Sequence, residues 1–436
     1  MDDQLNVARL TRRGLLTGGA GAAGALILGR LAGSGRATIP LLTAPAAVTT
    51  PGGTAQLHLA ATDGWVSMPE AARAIPPFWP DALAPTPYNL YVFGFRDVTG
   101  MSSADVTAQR GHAQISAPML VFDEYDAAKG NDVKITLSNL GLQQRPDLVD
   151  GHTIHWHGFQ NAIPLFDGVP ELSISVPIGR DFTYYYRPHD AGTYMYHCHY
   201  EDVEHVQMGM TGTLFVRPKQ NSNPVNGDPA GTRYAYNDGD GSTRYDREFA
   251  FMINEIWAEA HYRDAHIQAT DWTDFAPSFW TLNGRCYPDT IEPNGNPASA
   301  AAGRLRYQPN SSLVTCNEGD RVLLRLASLG YQNHSMTVDG VDLNVVAKDA
   351  SLLRGRDGSG TGYLTNTVDL GPGESRDVLF TAPQVTPGAG GYATFLLYDR
   401  DHAHQTNAGG AGYGGQLTQI RVYPKGTLPA QTIPNT

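Results

Sequence analysis

Five blocks of this sequence occur twice, in the same order, and that repeat constrains the fold more than any other feature. VKITLSNLG from Val133 returns as VLLRLASLG from Val322, and HTIHWHG from His152 returns as HSMTVDG from His334. PIGRDFTYYYRP from Pro177 returns as GPGESRDVLFTAP from Gly371. GTYMYHCHYE from Gly192 returns as YATFLLYDRD from Tyr392, and TGTLFVRPK from Thr211 returns as QLTQIRVYPK from Gln416. A chain built this way uses one unit twice. The unit is made of strands. Residues 133–138 alternate apolar and polar side chains, and residues 182–186 and 193–196 are rich in β-formers. Clusters of Gly, Pro, Asn and Asp separate such runs, and no long amphipathic helix interrupts them. The expected fold is all-β, with two β-sandwich domains over 50–218 and 246–425. The join at 219–245, rich in Asn, Gly, Asp and Pro, reads as a linker.

The first forty residues read as an address and not as fold. Arg12 and Arg13 form a twin arginine, a mild apolar stretch runs from Gly14 to Gly29, and small residues lead to Ala37. This resembles a twin-arginine export signal over 1–40, which implies a mature protein that works in the periplasm or outside the cell. With 31 basic and 43 acidic side chains the formal charge is -12. Removing a leader that ends near Ala37 takes away five Arg and two Asp and makes the body more acidic still. Such a body has nothing to displace phosphate counterions with, so nucleic acid is not an expected partner. Past residue 40 no apolar run is long enough to span a bilayer.

There are 3 cysteines: Cys198, Cys286 and Cys316. An oxidising compartment permits a bridge between Cys286 and Cys316, worth roughly 3–4 kcal/mol on the chain-entropy estimate for a loop of about 30 residues. Cys198 is then the odd thiol, and in an exported protein it needs a reason to stay unpaired.

Of 14 histidines, six crowd two windows: His152, His155 and His157, then His197 and His199 flanking Cys198, followed by His205. Residues two apart on a strand share a face. His155 and His157 then point one way, as do His197 and His199, while Cys198 points the other. Turns could bring His152, His205 and either Met208 or Met210 round to the sulfur. Two imidazoles, a thiolate and a weak thioether are the ligand set of a blue copper centre. Structural zinc prefers a closed tetrahedron with paired cysteines, which is absent here.

These residues resemble the multicopper oxidases, which are built of cupredoxin domains, and the resemblance covers both halves of the chain. It implies a cupredoxin-like, Greek-key topology for each sandwich. It matches His152, Cys198, His205 and Met210 to a type 1 copper site, with Met210 preferred over Met208 for its spacing from His205. It matches His155, His157, His197 and His199 to ligands of a type 2/type 3 copper cluster. The implied activity is one-electron oxidation of a phenol, an aromatic amine or a metal ion at the type 1 copper. Electrons would pass through Cys198 and its neighbours His197 and His199, the residues expected to carry the catalysis, to a cluster that reduces O2 to water. The implied assembly is a homotrimer with each cluster at a subunit seam.

Two departures from the pattern stand out. Cys198 and His205 are seven apart, two more than is usual, and the loop between them holds Tyr200, Glu201, Asp202 and Glu204. Such an acidic loop could dock a cationic donor. The second domain lacks the expected ligands: the repeat sets Thr337 and Asp339 opposite His155 and His157, and Asp399 and Asp401 opposite His197 and His199. His334, His402 and His404 remain as second-domain candidates for the cluster. Two other readings therefore stay open: a copper nitrite reductase-like enzyme, and a blue-copper electron carrier or copper-binding protein whose cluster has decayed.

Overall fold

A computed structural model describes residues 48–49, 55–70, 72–294 and 303–436. The twin-arginine segment and the rest of the expected leader lie outside the described residues. The strand pattern follows the sequence periodicity. In Val133–Asn139 the apolar positions 133, 135 and 137 are buried, and Lys134 between them is exposed. That alternation places one face of a strand against a core.

The first unit is two facing sheets. One carries Asn89–Asp97, Ala55–Ser67, Val133–Asn139 and Asp181–Tyr186, in that order. The other runs Val48–Thr49, Leu120–Asp123, Thr211–Arg217, Gly192–His197 and His155–His157. Between them lies a core that includes Leu59, Phe93, Ile135, Trp156, Tyr184, Tyr196 and Leu214. The second unit repeats the plan. One sheet is built around Arg247–Ile256, Arg321–Ser328 and Ser375–Thr381. The other runs Val314–Asn317, Leu417–Tyr423, Ala393–Asp399, His334–Val338 and Thr367–Leu370. The chain is thus a pair of β-sandwiches, as expected.

The join between them is not a free linker. It folds into a 3-10 turn at Lys219–Ser222 and a ribbon of Arg233–Tyr234 on Arg244–Tyr245. Ala235, Tyr236 and Tyr245 pack on Leu323, Val346 and Leu379 of the second unit. Aromatic side chains in this Gly-rich segment supply apolar surface that a solvated linker would waste.

The expected disulfide does not form. All three cysteines are free and buried. Cys316 sits between the two sheets of the second unit, whereas Cys286 packs with Trp79 and Phe279 in a separate cluster. The two thiols belong to different cores, and burial raises the pKa of each.

The units meet across a buried ionic knot. Arg325 of the second unit lies with its Nε 3.2 Å from Glu248 Oε2 and its Nη1 3.0 Å from Thr193 Oγ1 of the first. Arg217 of the first unit pairs with the other oxygen of Glu248. Thr193 Oγ1 also donates to Asp377 at 2.6 Å, and Ser375 Oγ donates to the Thr193 carbonyl at 2.8 Å. The strand that ends at His197 is therefore fixed to a strand of the second unit.

Candidate metal centre

His155–His157 pairs antiparallel with Gly192–His197, setting His155 directly opposite His197. The alternation of side chains then does what the sequence implied. Cys198 falls on the core side, and the imidazoles gather on the other. The His155 ring lies 5.2 Å from that of His197 and 5.0 Å from that of His199, and the His197 and His199 rings are 5.5 Å apart.

On the core side, Cys198 Sγ lies 3.3 Å from His205 Nδ1 and 3.8 Å from His152 Nδ1. A sulfur and a nitrogen bound to one ion, at about 2.3 and 2.0–2.1 Å and a tetrahedral angle, stand about 3.5 Å apart. The two observed distances bracket that value. The backbone N–H of Thr153 points at the sulfur, 3.4 Å away. Met210 is fully buried, and its backbone ties it to both neighbours: Cys198 N–H donates to Met210 C=O at 3.2 Å, and Met210 N–H to His205 C=O at 2.9 Å. Met208 is equally buried, but its carbonyl serves Phe93 N–H on the opposite sheet. Between them Gly209 has φ +117, and a Cβ there would lie 2.9 Å from the Phe93 carbonyl oxygen, so only glycine lets the chain pass.

The long step from Cys198 to His205 is absorbed by a short helix, Asp202–Gln207, which carries His205 inward. His205 Nε2 is buried with no hydrogen-bond partner, and Asp150 Oδ2, equally orphaned, lies 3.8 Å from it. Asp150, Glu201 and His205 bring donor atoms within 4.8 Å of one another. Burial lowers the pKa of His205, but Cys198 and Asp150 outweigh it and raise the value to about 10. Burial, followed by His205, lowers the pKa of His152. The pocket thus combines one neutral imidazole with a concentration of negative charge, a field that favours a bound cation.

On the other side, nitrogens of His155, His157 and His197 lie within 4.8 Å of one another. His155 Nδ1 donates to the Asp167 carbonyl at 2.7 Å, and His197 Nδ1 donates to the Cys198 carbonyl at 2.8 Å. Each bond fixes a tautomer and leaves Nε2 as a free lone pair. His157 Nδ1 stands 3.4 Å from His197 Nε2. That is long for a hydrogen bond, and close to the roughly 3.3 Å between two nitrogens on one ion of tetrahedral geometry. Burial holds His197 down to about 3, so it is neutral and able to coordinate. The donor sets on both faces fit copper: thiolate with imidazoles on one, imidazoles alone on the other. The far side of His157 is closed by the second unit, where a Cβ on Gly373 would be 3.1 Å from His157 Nε2.

The second-unit candidates are placed differently from expectation. His402 is exposed and belongs to no donor cluster among the described residues. His334 and His404 do not join the imidazoles of the first unit. They share Asp399, with His334 Nδ1 2.8 Å and His404 Nδ1 2.9 Å from its Oδ2. His334 spends its other nitrogen on Glu255, 2.5 Å away. The repeat correspondence is also corrected. Asp399 N–H donates to the Gln416 carbonyl as Cys198 N–H does to that of Met210, and Tyr398 pairs with Leu417 as His197 does with Thr211. Asp399 therefore answers to Cys198, and the counterparts of His155, His157, His197 and His199 are Thr337, Asp339, Tyr398 and Arg400. No imidazole stands at any of those four. Glu255 was missed, and its only signal is a charge inside the apolar run from Phe249 to Trp257.

Residues 113–221 and residues 248–414 each match a family model described as multicopper oxidase. The multicopper oxidase MCE of Talaromyces pinophilus is 37% identical over 113 residues, 25% of this chain and 16% of that protein. The match to a putative laccase-17 of Oryza sativa covers 40% of that relative, so the chain spans less than half the length of such curated proteins. Among solved structures, the blue copper oxidase from Nitrosomonas europaea superposes with TM-score 0.57 at 22% identity, covering 85% of this chain and 86% of that one. The copper-containing nitrite reductase from Thermus scotoductus SA-01 superposes with TM-score 0.53 at 16% identity, covering 88% and 66%.

Proposed function

Because the chain belongs to the multicopper oxidase family, we propose that it takes electrons one at a time from a small reducing substrate and delivers them to dioxygen. The substrate class is a phenol, an aromatic amine or a low-valent metal ion. Copper supplies the redox chemistry when bound, one-electron transfer in the Cys198 pocket and oxygen reduction among the imidazoles.

The observation that carries the reading is the position of Cys198. Its sulfur faces His152 and His205, while its covalent neighbours His197 and His199 face the other cluster. His152, Cys198, His205 and Met210 hold the first site, and His155, His157, His197 and His199 hold the second. The chain's own bonds connect the two, and the 2.8 Å hydrogen bond from His197 Nδ1 to the Cys198 carbonyl shortens that route. Asp150 and the exposed Glu201, beside His205, offer a cationic donor a place to dock. Export by the twin-arginine segment and assembly as a homotrimer belong to the same reading and rest on sequence resemblance.

A second reading is favoured by one observation. Three imidazole nitrogens converge in the first unit, and the second unit's counterparts carry none. Three histidines around one ion suit a single type 2 copper, as a nitrite reductase-like enzyme would use. Copper analysis of Asp399→Asn, which removes the carboxylate shared by His334 and His404 so that only the first unit's sites are counted, separates the readings when combined with oxygen uptake and nitrite turnover. Four coppers per chain with oxygen consumption support the oxidase. Two coppers with nitrite turnover replace it with the reductase, and one copper with neither activity leaves an electron carrier. Under all three, Cys198→Ser removes the strong thiolate-to-copper absorption near ~600 nm. A variant that stayed blue would refute the role of Cys198.

A further inference from the structure

The second unit holds a copy of the Cys198 pocket with different donors. The His334 and His404 rings stand 5.3 Å apart at 53°, against 4.9 Å and 52° for His152 and His205. Gln416 N–H donates to the His404 carbonyl at 2.8 Å, as Met210 N–H does to that of His205 at 2.9 Å. Four positions answer one to one: His334 to His152, Asp399 to Cys198, His404 to His205, and Gln416 to Met210.

Two features of this pocket point to a ligand. Gln416 is fully buried, and its Nε2 donates to the carbonyls of Asn254 and Thr281 at 3.2 and 3.3 Å. Its Oε1 has no hydrogen-bond partner at all, an acceptor that a cation would satisfy. Glu255 backs His334 from the far side, 2.5 Å from Nε2, and is itself held by the backbone N–H of Tyr331 at 2.7 Å. A carboxylate behind an imidazole is how metal-binding histidines are usually oriented.

We propose that His334, Asp399, His404 and Gln416 form a mononuclear site for a borderline divalent cation, Zn2+ or Cu2+, inside the second unit. Two nitrogens, a carboxylate and an amide oxygen, with no thiolate, select such an ion over Cu+. Without the cation, both Nδ1–H groups donate to Asp399 Oδ2. With it, Nδ1 of each ring turns its lone pair to the ion. His334 keeps the Nε2 proton shared with Glu255 and releases the Nδ1 proton to solvent, and His404 moves its proton to Nε2. The Nδ1 to Oδ2 separations, 2.8 and 2.9 Å, open to about 3.3 Å on binding. The site stands apart from the proposed oxidase chemistry and does not depend on it.

Equilibrium dialysis of the full chain against Zn2+ is the test. Asp399→Asn keeps the size and a hydrogen-bond acceptor, and it should bind one Zn2+ fewer per chain than the wild type. Equal counts would overturn the proposal. A second variant asks the question by gain of signal. Asp399→Cys in a Cys198→Ser background leaves the second pocket as the place where sulfur and two imidazoles meet. With Cu2+ it should turn blue. A folded, colourless protein would show that the pocket does not admit an ion.

Discussion

Arg325→Met should destabilise the protein by about 3–5 kcal/mol at pH 7, the usual cost of removing one partner from a buried ion pair. Arg325 is fully buried, and its guanidinium lies 4.4 Å over the Phe215 ring, so methionine retains most of the packing. What it does not replace is charge. Arg325 Nη1 is 3.5 Å from Asp377 Oδ1, and without it Asp377 keeps only the hydroxyls of Thr193 and Tyr236. Glu248 keeps Arg217 as its one charged partner, beside the Tyr245 hydroxyl 3.0 Å from its Oε2. The pH dependence follows. Burial raises the pKa of Glu248, and Arg217 and Arg325 together outweigh it and bring the value down to about 2. Because that lies below the unfolded value of about 4.3, its stabilisation is present above about pH 4.5 and is lost as pH falls toward 2. The gap between wild type and variant should be widest at neutral pH and narrow below about 4.5. Urea unfolding followed by tryptophan fluorescence at pH 7 and pH 3, with matched slopes, measures both. Adding Asp377→Asn should restore part of the loss. A change under about 1 kcal/mol at pH 7, or a gap that does not move with pH, would refute the argument.

Gly373→Ala places a Cβ 3.1 Å from His157 Nε2 at a backbone φ of +76. It should cost about 1–2 kcal/mol and weaken copper at the imidazole cluster while the blue absorption persists, which metal analysis and a visible spectrum report together. His402→Ala removes an exposed ring that belongs to no donor cluster among the described residues, so copper content should stay unchanged and stability should move by less than about 0.5 kcal/mol.

The first unit's centre was legible because its logic is local. The opposite facing of Cys198 and its flanking histidines follows from the two-residue period of a strand, while His205 and Met210 were reached through the family resemblance and are brought in by the helix Asp202–Gln207 and the turn after it. The second unit was misread by one residue. Setting Asp399 opposite His197 put its carboxylate on the cluster face. A one-residue slip sends every side chain of a strand to the other face, and the register in fact brings Asp399 to His334 and His404. Long-range partners left no such trace. Gly373 meets His157 across 216 positions of sequence, a span that follows from their numbers alone. The failed disulfide has the same origin: two cysteines about 30 residues apart look like neighbours, but Cys316 lies in Val314–Asn317 inside the second sandwich, whereas Cys286, just past Phe279–Leu282, packs in a different cluster with Trp79.

The knot around Arg325 also bears on how this molecule can be divided. Cutting the chain near residue 245 would part Arg217 from Glu248, and Thr193 from Arg325 and Asp377. Each fragment would bring to its surface charges that are sealed between the two sandwiches. A truncation meant to isolate the coloured half alone must therefore rewrite that seam with neutral side chains, or it will yield insoluble material.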